Sequence, residues 1–130
     1  MRISLNSVLV DDQDKALTFY CEVLGFELKN DIPLGDARWL TVVSPEAPHG
    51  TELLLEPNSN PAATAYQAAL FAQEIPFTAF EVDDIRAQHE RLMALGVRFL
   101  SEPMQVGTTI IASFDDTCGN YIQIYETETE

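Results

Sequence analysis

Basic side chains are scarce in this sequence: seven Lys and Arg stand against 21 Asp and Glu, for a formal charge of −14. Nucleic acids and anionic membranes are recognised through clustered Lys and Arg, so neither is an expected partner. Long apolar runs are also missing. None approaches the ~18 residues that a membrane-crossing helix needs. The opening "MRISLNSVLVDD" runs from an apolar stretch into two aspartates, which is not how a cleavable leader ends. A cytoplasmic protein is expected. Cysteine is limited to Cys21 and Cys118, too few for a disulfide framework and read as two reduced thiols. Histidine is limited to His49 and His89. His89 falls four residues after Ile85 and three before Leu92, the spacing of a residue packed along a helix. His49 sits in the loop "PEAPHG", where it could touch a ligand. No phosphate loop, dinucleotide fingerprint or Ser/His/Asp set is present.

What the chain does have is a repeat. "VDDQDKALTFYCEVLG" (10–25) and "VDDIRAQHERLMALG" (82–96) share a start, a helix-length amphipathic run and a glycine stop. In each the aspartates suit an N-cap and the glycine suits the residue that ends a helix. Ala16, Leu17, Tyr20, Val23 and Leu24 fall at helical spacing, as do Ile85, Leu92 and Leu95. A strand precedes each helix, at 3–10 and 77–82. Three follow each: 26–31, 37–44 and 51–56 in the first half, 97–100, 108–114 and 120–126 in the second. The turn between the first two strands of the first half is placed at 32–36. Val10 and Val82 stand 72 residues apart, Leu24 and Leu95 71, so the register slips by one across the helix.

The expected fold is therefore α+β. Two βαβββ modules (1–56 and 77–130), joined by a connector at 57–76 with a short helix, make one domain. Two curved sheets side by side would give an incompletely closed eight-stranded barrel-like cup with the helices outside. The acidic tail "ETETE" (126–130) reads as a solvated end.

Alternation along the strands nominates the residues that face the cup. Leu53 and Leu55 should pack on the helix, which turns Glu52 inward as a possible acid/base or cation-binding group. Trp39 and Thr41 should face inward with it, the indole suited to stacking on a flat or cationic ligand. Arg38 could hold an anion at the rim. Tyr121, Gln123 and Tyr125 add hydroxyl and amide groups on the last strand.

"VDDQDKALTFYCEVLGFEL", "FEVDDIRAQHERLMALGVRF" and "FDDTCGNYIQIYE" together resemble the vicinal oxygen chelate superfamily of glyoxalases, bleomycin-resistance proteins and extradiol dioxygenases. The resemblance runs over essentially the whole chain, although Thr117 replaces the proline usual in the D-P-x-G-N turn. It implies a divalent ion on the cup floor, held by an inward residue from the first and last strand of each module. Those four positions fall on Leu5, Glu52, Phe77 and Gln123. Leu5 and Phe77 have no lone pair to donate, and Glu52 and Gln123 alone are too few for a stable site. No metal and no cofactor is expected, a divalent ion being the alternative. Ser7 and Phe114 complete the expected lining, with Leu5, Trp39, Thr41, Glu52, Phe77, Tyr121 and Gln123. The resemblance points to a homodimer that sequesters or senses a small organic molecule, cationic or aromatic. The alternative is a glyoxalase-like lyase, isomerase or dioxygenase using Glu52 with an irregular metal site.

Overall fold

The computed structural model describes residues 1–128. The order is β1 (Leu5–Val10), α1 (Gln13–Thr18) continued by a π-helical turn (Phe19–Val23), β2 (Glu27–Leu34), β3 (Ala37–Val43) and β4 (Glu52–Pro57). The connector carries α2 (Pro61–Ala72). Then come β5 (Thr78–Glu81), α3 (Ile85–Ala94), β6 (Met104–Val106), β7 (Thr109–Asp115) and β8 (Tyr121–Thr127). Both modules thus have the expected βαβββ order. The N-caps are those read from the sequence: Asp12 accepts from the Lys15 amide and Asp84 from the Ala87 amide.

The strands form two four-stranded sheets, ordered β1-β4-β3-β2 and β5-β8-β7-β6. In each, the first strand runs parallel to the last and is a free edge. No ladder joins the two sheets among the described residues, so no closed barrel exists. The helices pack where both sheets reach them. Phe19 in the π turn meets Phe114 of β7 with ring centroids 6.1 Å apart. Phe26 meets Phe80 of β5 edge-on at 5.2 Å, and Arg91 of α3 donates to the Val23 carbonyl at 2.9 Å. Val8, Val10, Leu40, Val42 and Leu55 from one sheet and Phe114, Ile122 and Ile124 from the other belong to this one core. Each sheet therefore turns its other, concave face away from the shared helix layer.

Three boundaries differ from the expectation. β2 runs on through 32–34, where a turn was expected, because Pro33 lies on an edge strand and its missing N–H breaks no ladder bond. Residues 97–100 are not a strand: only the single bridge Phe99–Phe114 forms. Pro103 interrupts pairing there, and the true β6 is the short Met104–Val106 hairpin arm before Gly107, whose φ of 64° makes the tight turn. The tail is only partly a free end. Glu126 and Thr127 finish β8, and Glu126 accepts from the Ile85 amide at 2.8 Å. Thr129 and Glu130 lie outside the described residues.

Candidate functional site

Register fixes what each concave face carries. On the first sheet Leu5 lies beside Glu52, Ser7 beside Leu54, and Thr41 beside Leu54 from the other side. Trp39 lies beside Ile32 on the neighbouring strand. Leu5, Ser7, Trp39, Thr41 and Glu52 therefore share one face, the one opposite the core residues Val8, Leu40 and Leu55. The carboxylate is not left among hydrocarbons. Its Oε1 accepts from the Thr41 hydroxyl at 2.8 Å and from Asn30 Nδ2 at 2.9 Å, and Asn30 also donates to the Thr41 oxygen at 3.1 Å. Both donors engage one oxygen, so Oε2 is free to meet a ligand's donor.

Asn30 was not among the expected site residues. It reaches this face because a bulge at Lys29 shifts the register between Leu28 and Asn30, and simple alternation cannot locate a bulge.

On the second sheet Gln123 lies between Ala79 and Ser113, and Tyr125 between Glu81 and Ile111. Phe77 precedes β5, and its amide donates to the Tyr121 carbonyl at 2.8 Å. Ala79, not Phe77, is thus the register partner of Gln123. Helix α2 reaches over this end of the face. Phe71 stacks on Tyr121 with centroids 4.4 Å apart and planes within 3°, and Tyr66 packs edge-on to Phe77 at 5.9 Å. The second face is aromatic at this end, with Glu81 and Asp115 at its margins beside Tyr125 and Tyr121.

Phe114 is a correction. It is fully buried and packs on Phe19 and Phe99 on the helix side. Ser113 holds the inward position beside it, because Ser113 pairs with Gln123 whereas Phe114 pairs with the buried Ile122. Among the described residues no hydrogen bond or ring contact joins the two concave faces. The fourfold set Leu5, Glu52, Phe77 and Gln123 supplies one carboxylate and one amide, with one carboxylate oxygen already engaged. No three His, Cys, Asp or Glu side chains converge elsewhere among the described residues. These residues do not fit a divalent metal ion.

The other candidates have structural duties. Arg38 is taken up by Asp31 at 2.9 and 3.0 Å and by Asp14, so it is not free for an anion. His89 is buried with its ring edge-on to Phe99 at 4.5 Å. Cys21 and Cys118 are unpaired. Burial, aided by the Asp116 carboxylate, pushes the Cys118 thiol up to about 12, the opposite of what a nucleophile needs.

Behind the faces lies a buried polar network that no spacing rule revealed. Asp116 Oδ2 accepts from the Tyr20 hydroxyl at 2.6 Å and from Asn120 Nδ2 at 2.8 Å, while Oδ1 accepts from the Cys118 and Asn120 amides. Asn120 Nδ2 and Gln67 Nε2 both donate to the Leu9 carbonyl, at 2.7 and 3.0 Å. Gln67 Nε2 also reaches the Cys118 carbonyl and Asn120 Oδ1. No buried side-chain polar atom is left without a partner among the described residues. Gly119, at φ 99°, lets the turn approach: a Cβ there would stand 2.8 Å from Gln67 Nε2. The network fastens the free edge of β1 to the turn before β8.

Among the described residues no helix is long and apolar enough to cross a membrane. A family model described as Glyoxalase/Bleomycin resistance protein/Dioxygenase superfamily matches residues 2–124. The uncharacterized protein YurT of Bacillus subtilis (strain 168) is 52% identical over 126 residues, covering 97% of this chain and 99% of that one. The crystal structure of UcmS2 superposes with a TM-score of 0.82 at 33% identity, over 96% of this chain and 97% of that one. TnmS3, described as an antibiotic binding protein from Streptomyces sp. CB03234, superposes with a TM-score of 0.76 at 30% identity, over 98% and 97%.

Proposed function

This chain belongs to the Glyoxalase/Bleomycin resistance protein/Dioxygenase superfamily, and from that premise we propose that it is a metal-independent cytoplasmic binding protein. It sequesters or senses a small organic molecule against its concave faces. The observation that carries this reading is the first face. There a carboxylate is held by Asn30 and Thr41 with one oxygen free, beside Leu5 and on the same face as Leu54 and Trp39. A flat ligand bearing an ammonium or another strong donor suits that arrangement, because one face offers both a charge-assisted hydrogen bond and a stacking surface. The antibiotic-binding description of TnmS3 supports an organic ligand of that size class. Catalysis at Glu52 through an irregular metal site has less support, since the donor set is missing.

Each face of a lone chain is half of a cup. Leu5, Ile32 and Leu34 around the first face and Met104 and Val106 at the far edge of the second sheet are exposed apolar residues, and exposed apolar patches mark surfaces that meet a partner. A homodimer in which the first face of one copy opposes the second face of the other completes two cups. The aromatic face then closes over a ligand anchored at Glu52.

Trp39 is the only tryptophan, so its fluorescence reports the first face alone. Titration with a panel of cationic aromatic compounds is expected to give saturable quenching that Glu52→Gln weakens about tenfold. Metal analysis of native protein, purified without chelator or tag, is the counter-test. Stoichiometric Zn, Fe, Mn or Ni that Glu52→Ala removes would overturn the metal-independent reading.

A further inference from the structure

The two modules meet at two junctions that their repeat makes equivalent, and the junctions differ. At the first, the turn at 116–120 docks on the free edge of β1 through Asn120, and α2 inserts Gln67 to complete the bonding. The first module's counterpart of that turn is the loop at 44–51, which faces the free edge of β5. This loop bonds to itself, Ala47 amide to Ser44 carbonyl at 3.0 Å and Gly50 amide to Ala47 carbonyl at 2.9 Å. Among the described residues none of its hydrogen bonds reaches β5. The cause is topological: one chain has one connector, and α2 can plug only one junction.

The unplugged junction is a cleft of about 810 Å³, within the range of roughly 300–1,000 Å³ usual for small-molecule sites. Its walls reach into the helix layer, where Phe26, Phe80 and Leu92 line it, while Glu46, Glu81 and Asp83 stand at its mouth. The one guanidinium on its lining, Arg91, bonds to neutral acceptors, the Val23 carbonyl and Gln88 Oε1 at 3.0 Å, and pairs with none of those carboxylates, which outnumber it. The geometry points to a second small-molecule site in this cleft, for an organic cation with an aromatic or aliphatic body, separate from the face that carries Glu52 and bordered by Ala79 and Tyr125 of the second sheet. The aromatic floor takes the apolar body and the acidic mouth takes the charge. The cleft is built independently of whatever binds at Glu52.

Ala87 is exposed on α3 at the cleft's edge, so Ala87→Trp obstructs the cleft from a tolerant surface position. The probe is berberine, a planar organic cation whose fluorescence rises in apolar surroundings, titrated into the full chain. Binding is expected to weaken at least about tenfold in Ala87→Trp and about fivefold in the double variant Glu46→Gln/Asp83→Asn, as befits two exposed charges. In Trp39→Ala, which disables the concave face and removes any berberine held there, a saturable phase of unchanged affinity should remain. The anionic probe anilinonaphthalene sulfonate is expected to bind the wild type far more weakly. The proposal falls if berberine does not bind, if Trp39→Ala rather than Ala87→Trp removes binding, or if the anionic probe binds equally well.

Discussion

The two modules share a scaffold and place their polar chemistry on opposite sides of it. The first module carries its carboxylate, amide and hydroxyl on the concave face, where Glu52, Asn30 and Thr41 bond to one another. The second carries a carboxylate and an amide behind its sheet, where Asp116 and Asn120 are buried and Asp116 accepts from the hydroxyl of Tyr20 on the first module's helix. On its own concave face Gln123, beside Ala79, stands where the first module has Glu52. A polar triad at a water-facing surface is available to a ligand, whereas one in the core holds the chain together. Duplicated modules have here divided recognition from cohesion.

That division can be broken most severely at Asn120. Asn120→Leu removes a donor from the Leu9 carbonyl and from the Asp116 carboxylate and an acceptor from Gln67, and sets an alkyl group among these buried polar atoms. It is expected to cost about 3–5 kcal/mol in urea unfolding, while the affinity of the remaining folded protein at Glu52 stays within about twofold. A loss of affinity as large as the loss of stability would show that cohesion and recognition are not separate.

Asp116→Asn comes next, at about 2–3 kcal/mol near pH 7, because all four of its partners donate and an amide nitrogen cannot accept. Its pH dependence has a definite sign. Burial outweighs those donors and holds the folded Asp116 carboxyl above its ordinary 3.8. A carboxyl raised on folding stabilises fully below that ordinary value, and the contribution is lost as pH rises through the folded one. The gap between wild type and Asp116→Asn should therefore be widest near pH 4 and narrow toward pH 7. Denaturation at several pH values checks the direction, and a gap that widens with pH refutes it.

Tyr20→Phe removes one donor to Asp116 and is expected to cost about 1–2 kcal/mol. The phenol itself is held well above its usual range, first by burial and then by the neighbouring carboxylate, so no stability change should follow Tyr20 ionisation below pH 10. Glu52→Gln sharpens the contrast from the other side. The amide oxygen can still accept from Asn30 and Thr41, so stability should stay within about 0.5 kcal/mol of wild type while ligand affinity falls. The smallest effect is expected at Arg38→Ala. This largely exposed ion pair with Asp31 and Asp14 should be worth under about 1 kcal/mol and fade with salt.

The repeat, both helix caps and the inward parity of Trp39, Thr41 and Glu52 were legible because period-2 and period-3.6 patterns survive in a single chain. β6 was not, because three residues next to a proline leave no pattern to read. Asn30 was hidden by a bulge, and Phe114 was misplaced by carrying one module's register onto the other. The buried network was invisible for a different reason. Its members lie as far apart as Leu9 and Asn120, and only the packed fold shows that Gln67, in a helix with no counterpart elsewhere in the chain, reaches both.

The π-helical turn at Phe19–Val23 accounts for the one-residue slip between the modules. The chain takes thirteen steps from Asp12 to Gly25 but only twelve from Asp84 to Gly96. The surplus residue is absorbed where the Leu24 amide donates to the Phe19 carbonyl, five positions back, at 3.0 Å, one residue more than an α-turn holds. An insertion taken up as a local widening leaves both helix ends anchored, so Asp12 still caps and Gly25 still stops. The first helix thus carries one residue more than the second without disturbing either sheet, and the widened turn marks where that residue is accommodated.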